Sequence, residues 1–349
     1  MLPKLSDNRL RYMDGCRAIC VILVVLFHYT YVFVEKYAPD GITAWKTGSG
    51  GVGVSLFFVI SGFVILMTLG KKNFKGFVVS RISRLYPAYI LSVVITSIAI
   101  IFIGDWYKEV ELDNFLKNLT MFQYYLGGSD IDGVYWSLRV EVAFYAGIAI
   151  LFYYLPLRYF WSIVAFLTLI SCLINYFAQV NTLPVILDYA RKLLIFEFIP
   201  YFELGLLLYT KSGNDNIVYC QSNNNLLQFV IAVAAVTDLL INKDLNKSIF
   251  VISMVGVLHA FSHGKLDVLK SIIESKFLVY IGRLSYSIYL LHQVIGYLLL
   301  KLLLNNGIHF YGALAITMLL VLILSHAVFV FAENKASYIV RKKLTSYIR

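Results

Sequence analysis

The chain has 349 residues, of which 60% are hydrophobic and only 14% are charged, and its mean hydropathy is +0.76. Soluble globular proteins average about 25% charged residues, so this composition excludes an ordinary soluble domain and indicates a polytopic membrane protein. The net charge of +10 does not indicate a nucleic-acid partner, because the basic residues follow the hydrophobic segments in an alternating pattern.

Ten apolar stretches are long enough for membrane helices, which need about 20 residues to cross a bilayer. They cover residues 16–34, 51–69, 85–104, 138–155, 159–178, 193–210, 226–242, 247–262, 280–304 and 311–332. The sequence therefore predicts an all-α, polytopic membrane helix bundle of about ten transmembrane helices. No cleavable signal peptide, repeat or linker divides the chain, so we expect one membrane domain over residues 1–349 without a fused soluble domain.

Lysine and arginine residues indicate how the chain crosses the membrane. With the N-terminus in the cytoplasm, about 20 of them lie on the cytoplasmic side and about 8 on the other side, as the positive-inside rule requires. The longest predicted outer loop, 105–136, is rich in acidic residues. An even number of spans then places both termini in the cytoplasm.

The first span carries the most conspicuous polar residues. Arg17 and His28 are eleven positions apart, which is about three helical turns and roughly 16 Å of rise, so they share one helix face. Asp14 lies one turn before Arg17 on the same face. An imidazole in the middle of an apolar span is costly, and such groups usually mark a functional site.

The second and third spans begin with small and basic residues. Gly50, Gly51 and Gly53 predict a helix packed tightly against the histidine helix, with Ser61 facing a cavity, and ordinary small-residue packing is the alternative. Arg81 and Arg84 are one turn apart at the predicted cytoplasmic end of the third span. They could anchor the helix at the membrane surface, or they could bind a phosphorylated donor through their planar guanidinium groups.

Two further spans place polar side chains on one face. In the fourth span, which Trp136 precedes, Ser137, Glu141 and Tyr145 follow at intervals of four residues. A carboxylate inside an apolar run is rarely without function. In the ninth span the corresponding residues are Ser285, Tyr289 and His292, and we expect His292 to lie at the same depth as His28.

The sequence contains no metal-ligand, P-loop or nucleophile-elbow motif. The candidate reactive groups are an imidazole, a carboxylate and several hydroxyl groups, with basic residues at the cytoplasmic end of the bundle. This set suits acyl transfer to a hydroxyl. In five motifs, the chain resembles the membrane acyltransferase 3 family, which O-acylates cell-surface sugars and some small molecules. These motifs are Arg17 to His28, Phe57 to Phe63, Arg81 to Pro87, Trp136 to Tyr145 and Ser285 to His292.

The resemblance implies an integral-membrane O-acetyltransferase of the bacterial cytoplasmic membrane. Acetyl-coenzyme A would be the donor, and the acceptor would be a hydroxyl of a surface polysaccharide or an undecaprenyl-linked glycan, such as O-antigen, capsule or exopolysaccharide. No metal is expected. We expect catalytic roles for Asp14, Arg17, His28 and Glu141, donor contacts from Arg81, Arg84 and Tyr86, and substrate contacts from Ser61, Trp136, Ser285, Tyr289 and His292.

Several points stay open at this stage. His28 could act as a general base or carry the acyl group briefly. The family often has a proline closely after the glutamate that ends its last helix, whereas Glu333 is followed by Asn334, Lys335 and Ala336, so we expect only a surface role for Glu333. The competing functions are a secondary transporter or glycolipid flippase, and an acyltransferase that uses another donor such as succinyl-coenzyme A.

Overall fold

The computed structural model describes residues 10–39, 42, 50–211 and 225–348. This part of the chain is almost entirely helical, which confirms the predicted all-α class. The helices are α1 Arg11–Phe27, α2 Phe33–Lys36, α3 Val52–Leu69, α4 Phe74–Ile103, α5 Leu112–Leu119, α6 Trp136–Tyr154, α7 Phe160–Gln179, α8 Val185–Leu193, α9 Ile199–Lys211, α10 Asn225–Asn242, α11 Leu245–Ser262, α12 Asp267–Ile273, α13 Lys276–Asn305, α14 Phe310–Val328 and α15 Ser337–Ile348. Two π-helical segments, His28–Val32 and Phe329–Ala336, join α1 to α2 and α14 to α15.

Within the described ranges, eight helical segments are long and apolar enough to cross a membrane. They are Arg11–Lys36, Val52–Leu69, Phe74–Ile103, Gly133–Tyr154, Leu157–Gln179, Leu245–Ser262, Lys276–Asn305 and Phe310–Tyr347. Many apolar side chains on these segments are exposed, as expected for surfaces that contact lipid; Phe102, for example, is 80% exposed. The polytopic membrane character predicted from composition is confirmed.

The remaining two predicted spans form shorter helices. The stretch 193–210 was expected to be continuous, but α9 begins only at Ile199 and has 13 residues. Pro200 follows directly, and a proline near a helix start lacks the N–H that would extend the helix backwards. Ile195, in the turn before α9, has a left-handed backbone with φ of 54°. The stretch 226–242 corresponds to α10, whose apolar part Asn225–Ile241 is one residue too short to count among the eight segments.

Helices α1 and α13 pack against each other along their lengths, and glycines allow the close approach. A Cβ atom added at Gly282 would lie 1.7 Å from the carbonyl oxygen of Asp14 in α1. One added at Gly15 would lie 2.1 Å from the carbonyl oxygen of Ile273 in α12, the helix before α13. Further along, the ring of Tyr29 occupies the space beside Gly296. Small residues at helix crossings let backbones touch, which stabilises helix pairs in membranes.

Helix α3 lies between α1 and α9, and glycines again form the contacts. Gly53 packs on the carbonyl of Cys20 in α1, where an added Cβ would be only 2.4 Å from the oxygen. Gly62 and Gly205 bring α3 and α9 together in the same way. The predicted tight packing of the glycine-rich helix against the histidine helix is confirmed.

The segment between α4 and α6 folds back onto the bundle. Tyr89 in α4 donates to the carbonyl of Asn118 at 2.7 Å, and the side-chain oxygen of Asn118 accepts from the N–H of Ile131 at 3.0 Å. Asp132 then accepts from the N–H of Val294 in α13 at 3.1 Å. This segment therefore fixes the far half of α13 relative to α4.

Candidate active site

Two polar cavities lie inside the bundle. The first, which we call the arginine cavity, has a volume of about 500 Å³ and is lined by Asp14, Arg17, Arg84, Arg283 and Glu333 among others. It lies at the end of the bundle where α1 and α13 begin and α14 ends. The second, which we call the deep cavity, continues inward. Both cavities are lined by Arg17, Arg84, Ser285 and Tyr286.

The acidic groups of the arginine cavity already have partners. A carboxylate oxygen of Asp14 lies 3.7 Å from a guanidinium nitrogen of Arg17. Glu333 accepts a short hydrogen bond from the hydroxyl of Ser287. Arg283 lies over the ring of Phe329, with 5.6 Å between the guanidinium carbon and the ring centroid. Three arginines against two carboxylates give the cavity a positive charge that suits an anionic ligand.

Arg84 faces the cavities, whereas Arg81 does not. Arg84 is exposed and makes no hydrogen bond or ion pair with any other described residue. Arg81 is only 8% exposed, donates to the hydroxyl of Thr68 at 2.9 Å and lies 5.3 Å from the ring centroid of Tyr145. Residues three positions apart on a helix differ by about 60° in direction, so the two guanidinium groups diverge. They do not form the expected pair.

The helix that carries these arginines begins earlier than expected. The predicted span 85–104 put both arginines at a helix end, but α4 begins at Phe74, so they lie seven and ten residues inside it. The side chain of Asn73 caps α4 by accepting from the N–H of Gly76 at 2.9 Å. Tyr86, expected near the donor, donates instead to the carbonyl of Thr120 in the segment after α5, at 2.9 Å.

The deep cavity contains a compact group of oxygen atoms. Glu141 in α6 accepts short hydrogen bonds from the hydroxyls of Ser61 in α3 and Tyr145 in α6. The two hydroxyl oxygens are themselves 3.0 Å apart. Glu141 and Ser61 line the deep cavity together with Arg84. Ser61, Glu141 and Tyr145 therefore meet in one interior region.

The residues expected from the ninth span also reach this cavity. Ser285 and Tyr289 line it, and the hydroxyl of Tyr289 is 2.6 Å from that of Ser137. Trp136 does not line the cavity, because its ring packs between Phe58 and Phe198, at centroid distances of 6.2 and 5.2 Å. The sequence had not indicated Tyr286, which lines both cavities and donates to the carbonyl of Leu85 at 3.0 Å.

His28 and His292 contact each other between α1 and α13. Nδ1 of His28 is 3.2 Å from Nε2 of His292 and 2.8 Å from the carbonyl oxygen of Val24. His292 is completely buried, whereas His28 is partly exposed. The expectation that the two histidines lie at the same depth is confirmed by this contact.

His28 does not line either of the two cavities described above, although Arg17 does. The sequence analysis placed both on one face, and eleven residues of ideal helix would do so. The ring of His28 is instead held by the carbonyl oxygen of Val24 in its own helix and by His292 of α13. The ring centroids of Tyr289 and His292 are 5.7 Å apart, so Tyr289 connects the deep cavity to the histidine pair.

Glu333 lies inside the bundle, which corrects the expected surface role. It lines the arginine cavity and bonds to Ser287 in α13. The π-helical segment Phe329–Ala336 contains it, and one added residue per turn rotates the following side chains relative to an α-helix. An acidic residue directly after an apolar run was the only signal for this position in the sequence.

Beyond the histidine pair, the segment before α6 contributes a buried acid. Asp132 accepts from the N–H groups of Val134 and Val294, both at 3.1 Å. Burial raises the pKa of Asp132 to about 7, although both hydrogen bonds favour the charged form and oppose this shift. The N–H of Val294, which donates to Asp132, lies only two residues along α13 from His292.

Sequence comparisons relate this chain to known acyltransferases. A family model described as an acyltransferase domain matches residues 10–330. A Staphylococcus aureus protein provisionally named an O-acetyltransferase is 24% identical over 244 residues, 65% of this chain and 35% of that protein. The peptidoglycan O-acetyltransferase OatA of Listeria monocytogenes is 29% identical over 153 residues, 38% of this chain and 22% of that protein.

A provisionally named acetyltransferase of Acidianus two-tailed virus is 25% identical over 307 residues, 85% of this chain and 86% of that protein. The chain spans only 35% of the length of the staphylococcal relatives that it matches. No solved structure matches it. Because the family model covers residues 10–330, nearly the whole chain, this protein belongs to the acyltransferase family that the domain defines.

Proposed function

We propose that this protein is an integral-membrane O-acetyltransferase that transfers an acetyl group from acetyl-coenzyme A to a hydroxyl of a surface polysaccharide or lipid-linked glycan. The observation that carries the proposal is the pair of adjoining cavities that share Arg17 and Arg84 and end at Glu141 and Tyr289. A phosphorylated donor would need an exposed guanidinium at the junction of the cavities, such as that of Arg84, whereas a transporter would not.

The donor binds in the arginine cavity through its phosphates. Arg84 is the principal ligand, because its guanidinium is exposed to both cavities and bonds to no other described side chain. Arg17 lines the same space, with Asp14 beside it to fix its orientation. Arg81 supports α4 from behind through Thr68, and Tyr86 fixes the same helix to the segment after α5.

The acyl end of the donor extends into the deep cavity. Ser61, Ser285 and Tyr289 offer hydroxyl groups along this path, and Glu141 orients Ser61 through its hydrogen bond. Trp136 supports the wall through its aromatic contacts. These hydroxyl groups offer hydrogen bonds to a thioester within the membrane interior.

His28 acts as the general base. Its Nε2 accepts the proton of the acceptor hydroxyl while the hydroxyl oxygen forms a bond to the thioester carbonyl carbon. The carbon–sulfur bond then breaks, and the leaving thiolate of coenzyme A takes the proton from the imidazolium. This course needs no covalent acyl-histidine. The N-terminus and the arginine cavity would face the cytoplasm, where the donor is made, in a bacterial inner membrane.

The proposal is tested by comparing Arg84→Lys with Arg158→Lys in membranes supplied with acetyl-coenzyme A. Lysine keeps the charge at position 84 but loses the planar pair of donors, which is worth about 1.5 kcal/mol for one charged hydrogen bond. We expect the KM for acetyl-coenzyme A to rise about tenfold. Arg158 is exposed and lines neither cavity, so Arg158→Lys should behave as the wild type.

Mass spectrometry of the surface glycan identifies the group transferred. An added mass of an acetyl group that depends on this protein supports the proposal, whereas a succinyl group would replace acetyl-coenzyme A as the donor. A glycan of unchanged mass with and without the protein would contradict the proposed activity. An unchanged KM in Arg84→Lys would contradict the role of Arg84 alone.

A further inference from the structure

The hydrogen bonds of His292 assign the position of its ring proton. Nδ1 lies 2.9 Å from the carbonyl oxygen of Tyr289 and 3.2 Å from that of Ile288. Carbonyl oxygens only accept hydrogen bonds, so Nδ1 carries the proton. In the neutral ring, Nε2 of His292 is then a bare acceptor, and it points at Nδ1 of His28.

The same reasoning assigns the proton of His28. Its Nδ1 is shared between two acceptors, the carbonyl oxygen of Val24 at 2.8 Å and Nε2 of His292 at 3.2 Å. Nδ1 of His28 must therefore carry the proton, which leaves the lone pair on Nε2. This Nε2 bonds to no described residue, and the ring is partly exposed, so its lone pair is free to accept a proton.

We propose that His292 is the positioning residue of the catalytic base, a role that rests on the proposed function. When Nε2 of His28 accepts the hydroxyl proton, the ring becomes an imidazolium whose Nδ1–H bonds to both Val24 and His292. His292 thus does for His28 what the aspartate does for the histidine of a serine-protease triad. This role differs from the substrate contact that the sequence predicted for His292, because the ring of His292 is completely buried behind His28.

A neutral partner suits this location. A carboxylate at the same depth would have to be desolvated, whereas an imidazole whose own N–H is bonded to a carbonyl is buried at much lower cost. The rings meet edge to face, with centroids 4.9 Å apart and planes at 74°. Such a pair orients the base without a permanent charge in the membrane interior.

The surroundings of His292 are built to hold the ring still. Its own carbonyl oxygen accepts from the hydroxyl of Tyr29 at 2.8 Å, which ties α13 to the helix of His28. Two residues further, the N–H of Val294 donates to Asp132. The backbone of α13 is therefore held at His292 and again two residues beyond it, as positioning of a catalytic ring requires.

The test compares two substitutions of His292. His292→Gln places an amide oxygen near the position of Nε2 and keeps an acceptor, whereas His292→Leu keeps similar volume without one. We expect kcat to fall about a hundredfold in His292→Leu and to recover most of that loss in His292→Gln, with the KM for acetyl-coenzyme A unchanged in both. His326→Leu, an exposed histidine that bonds to Tyr280, should keep the wild-type kcat.

A second readout does not depend on activity. Nitrogen-15 NMR of histidine-labelled protein should show both His28 and His292 protonated on Nδ1 and bare on Nε2. The Nδ1 resonance of His28 should move in His292→Leu and return towards its wild-type position in His292→Gln. His28→Ala identifies the resonances of His28.

The outcomes separate the two proposals. Equal loss of kcat in His292→Gln and His292→Leu, with an unmoved His28 resonance, would overturn the positioning role and leave only packing. A wild-type His292 that carries its proton on Nε2 would overturn it as well. If wild-type protein transfers no acetyl group although the resonances behave as stated, the proposed function fails and the histidine pair stands.

Discussion

The crossing of α1 and α13 offers the sharpest test of how packing positions the site, through the substitution Gly282→Ala. The added Cβ would lie 1.7 Å from the backbone oxygen of Asp14, whereas such contacts need about 3.3 Å. Neither atom is at the end of a flexible side chain, so the two helices must move apart by about 1.6 Å. Overpacking of this kind costs about 1–3 kcal/mol.

The same movement reaches the catalytic residues, because α13 carries Ser285, Tyr289 and His292. A separation of this size would open the contact of 3.2 Å between the two histidines beyond hydrogen-bond distance. A misplacement of about 1 Å near a reacting centre reduces the rate about a hundredfold. We therefore expect Gly282→Ala to lose both thermal stability in detergent and acetyl transfer in membranes.

The matched control is Gly147→Ala, the same substitution at a helical glycine in α6. An added Cβ there meets nothing within 4 Å, and alanine is the better helix former, so stability should stay equal or rise by up to about 1 kcal/mol. The packing argument would be refuted if Gly282→Ala had the same melting temperature as the wild type and kept full acetyl-transfer activity. If Gly147→Ala lost as much stability and activity as Gly282→Ala, the effect could not be assigned to the crossing of α1 and α13.

Two further predictions concern the acidic side chains of Glu141 and Asp132. Glu141→Gln should leave the protein folded but reduce kcat more than tenfold, because the neutral amide weakens the short hydrogen bonds from Ser61 and Tyr145. Steady-state kinetics measure this change, and an unchanged kcat would contradict the prediction. The folded-state pKa of Asp132 is raised to about 7, so its contribution to stability is complete below pH of about 4 and is lost as pH rises to about 7. Asp132→Asn should remove this decline, and identical slopes of melting temperature against pH in both proteins would contradict the assignment.

Periodicity within single helices predicted the parts of the site that one helix supplies. Glu141 and Tyr145 meet because residues four apart lie on one face of α6, and Ser285 and Tyr289 reach the deep cavity for the same reason. The partner across the interface, Ser61, could be expected to face a cavity but not to bond to a particular residue. Contacts between helices depend on the crossing geometry, which no spacing within one helix determines.

Helix boundaries were harder to predict than helix faces. The span was predicted to begin at Leu85, where the apolar run begins, although α4 begins at Phe74. The first eleven residues of the helix include charged side chains and therefore did not look like part of a membrane span. Asn73 was the available signal, since asparagine is a preferred cap at helix starts. The same early start moves Arg81 and Arg84 into the bundle, where their different directions separate one from the cavities and expose the other to them.

The two places where the backbone leaves the α-helix explain what no helical wheel could predict. A wheel assumes about 100° per residue, and a segment with i→i+5 bonds adds a residue to the turn and rotates everything after it by about that angle. One such segment begins at His28, and the other contains Glu333. The second segment turns Glu333 towards the arginine cavity, whereas the sequence analysis had expected only a surface role for it. The irregular turns lie where polar groups must point inwards from spans that otherwise face lipid, so here the departure from α-helical geometry belongs to the construction of the site.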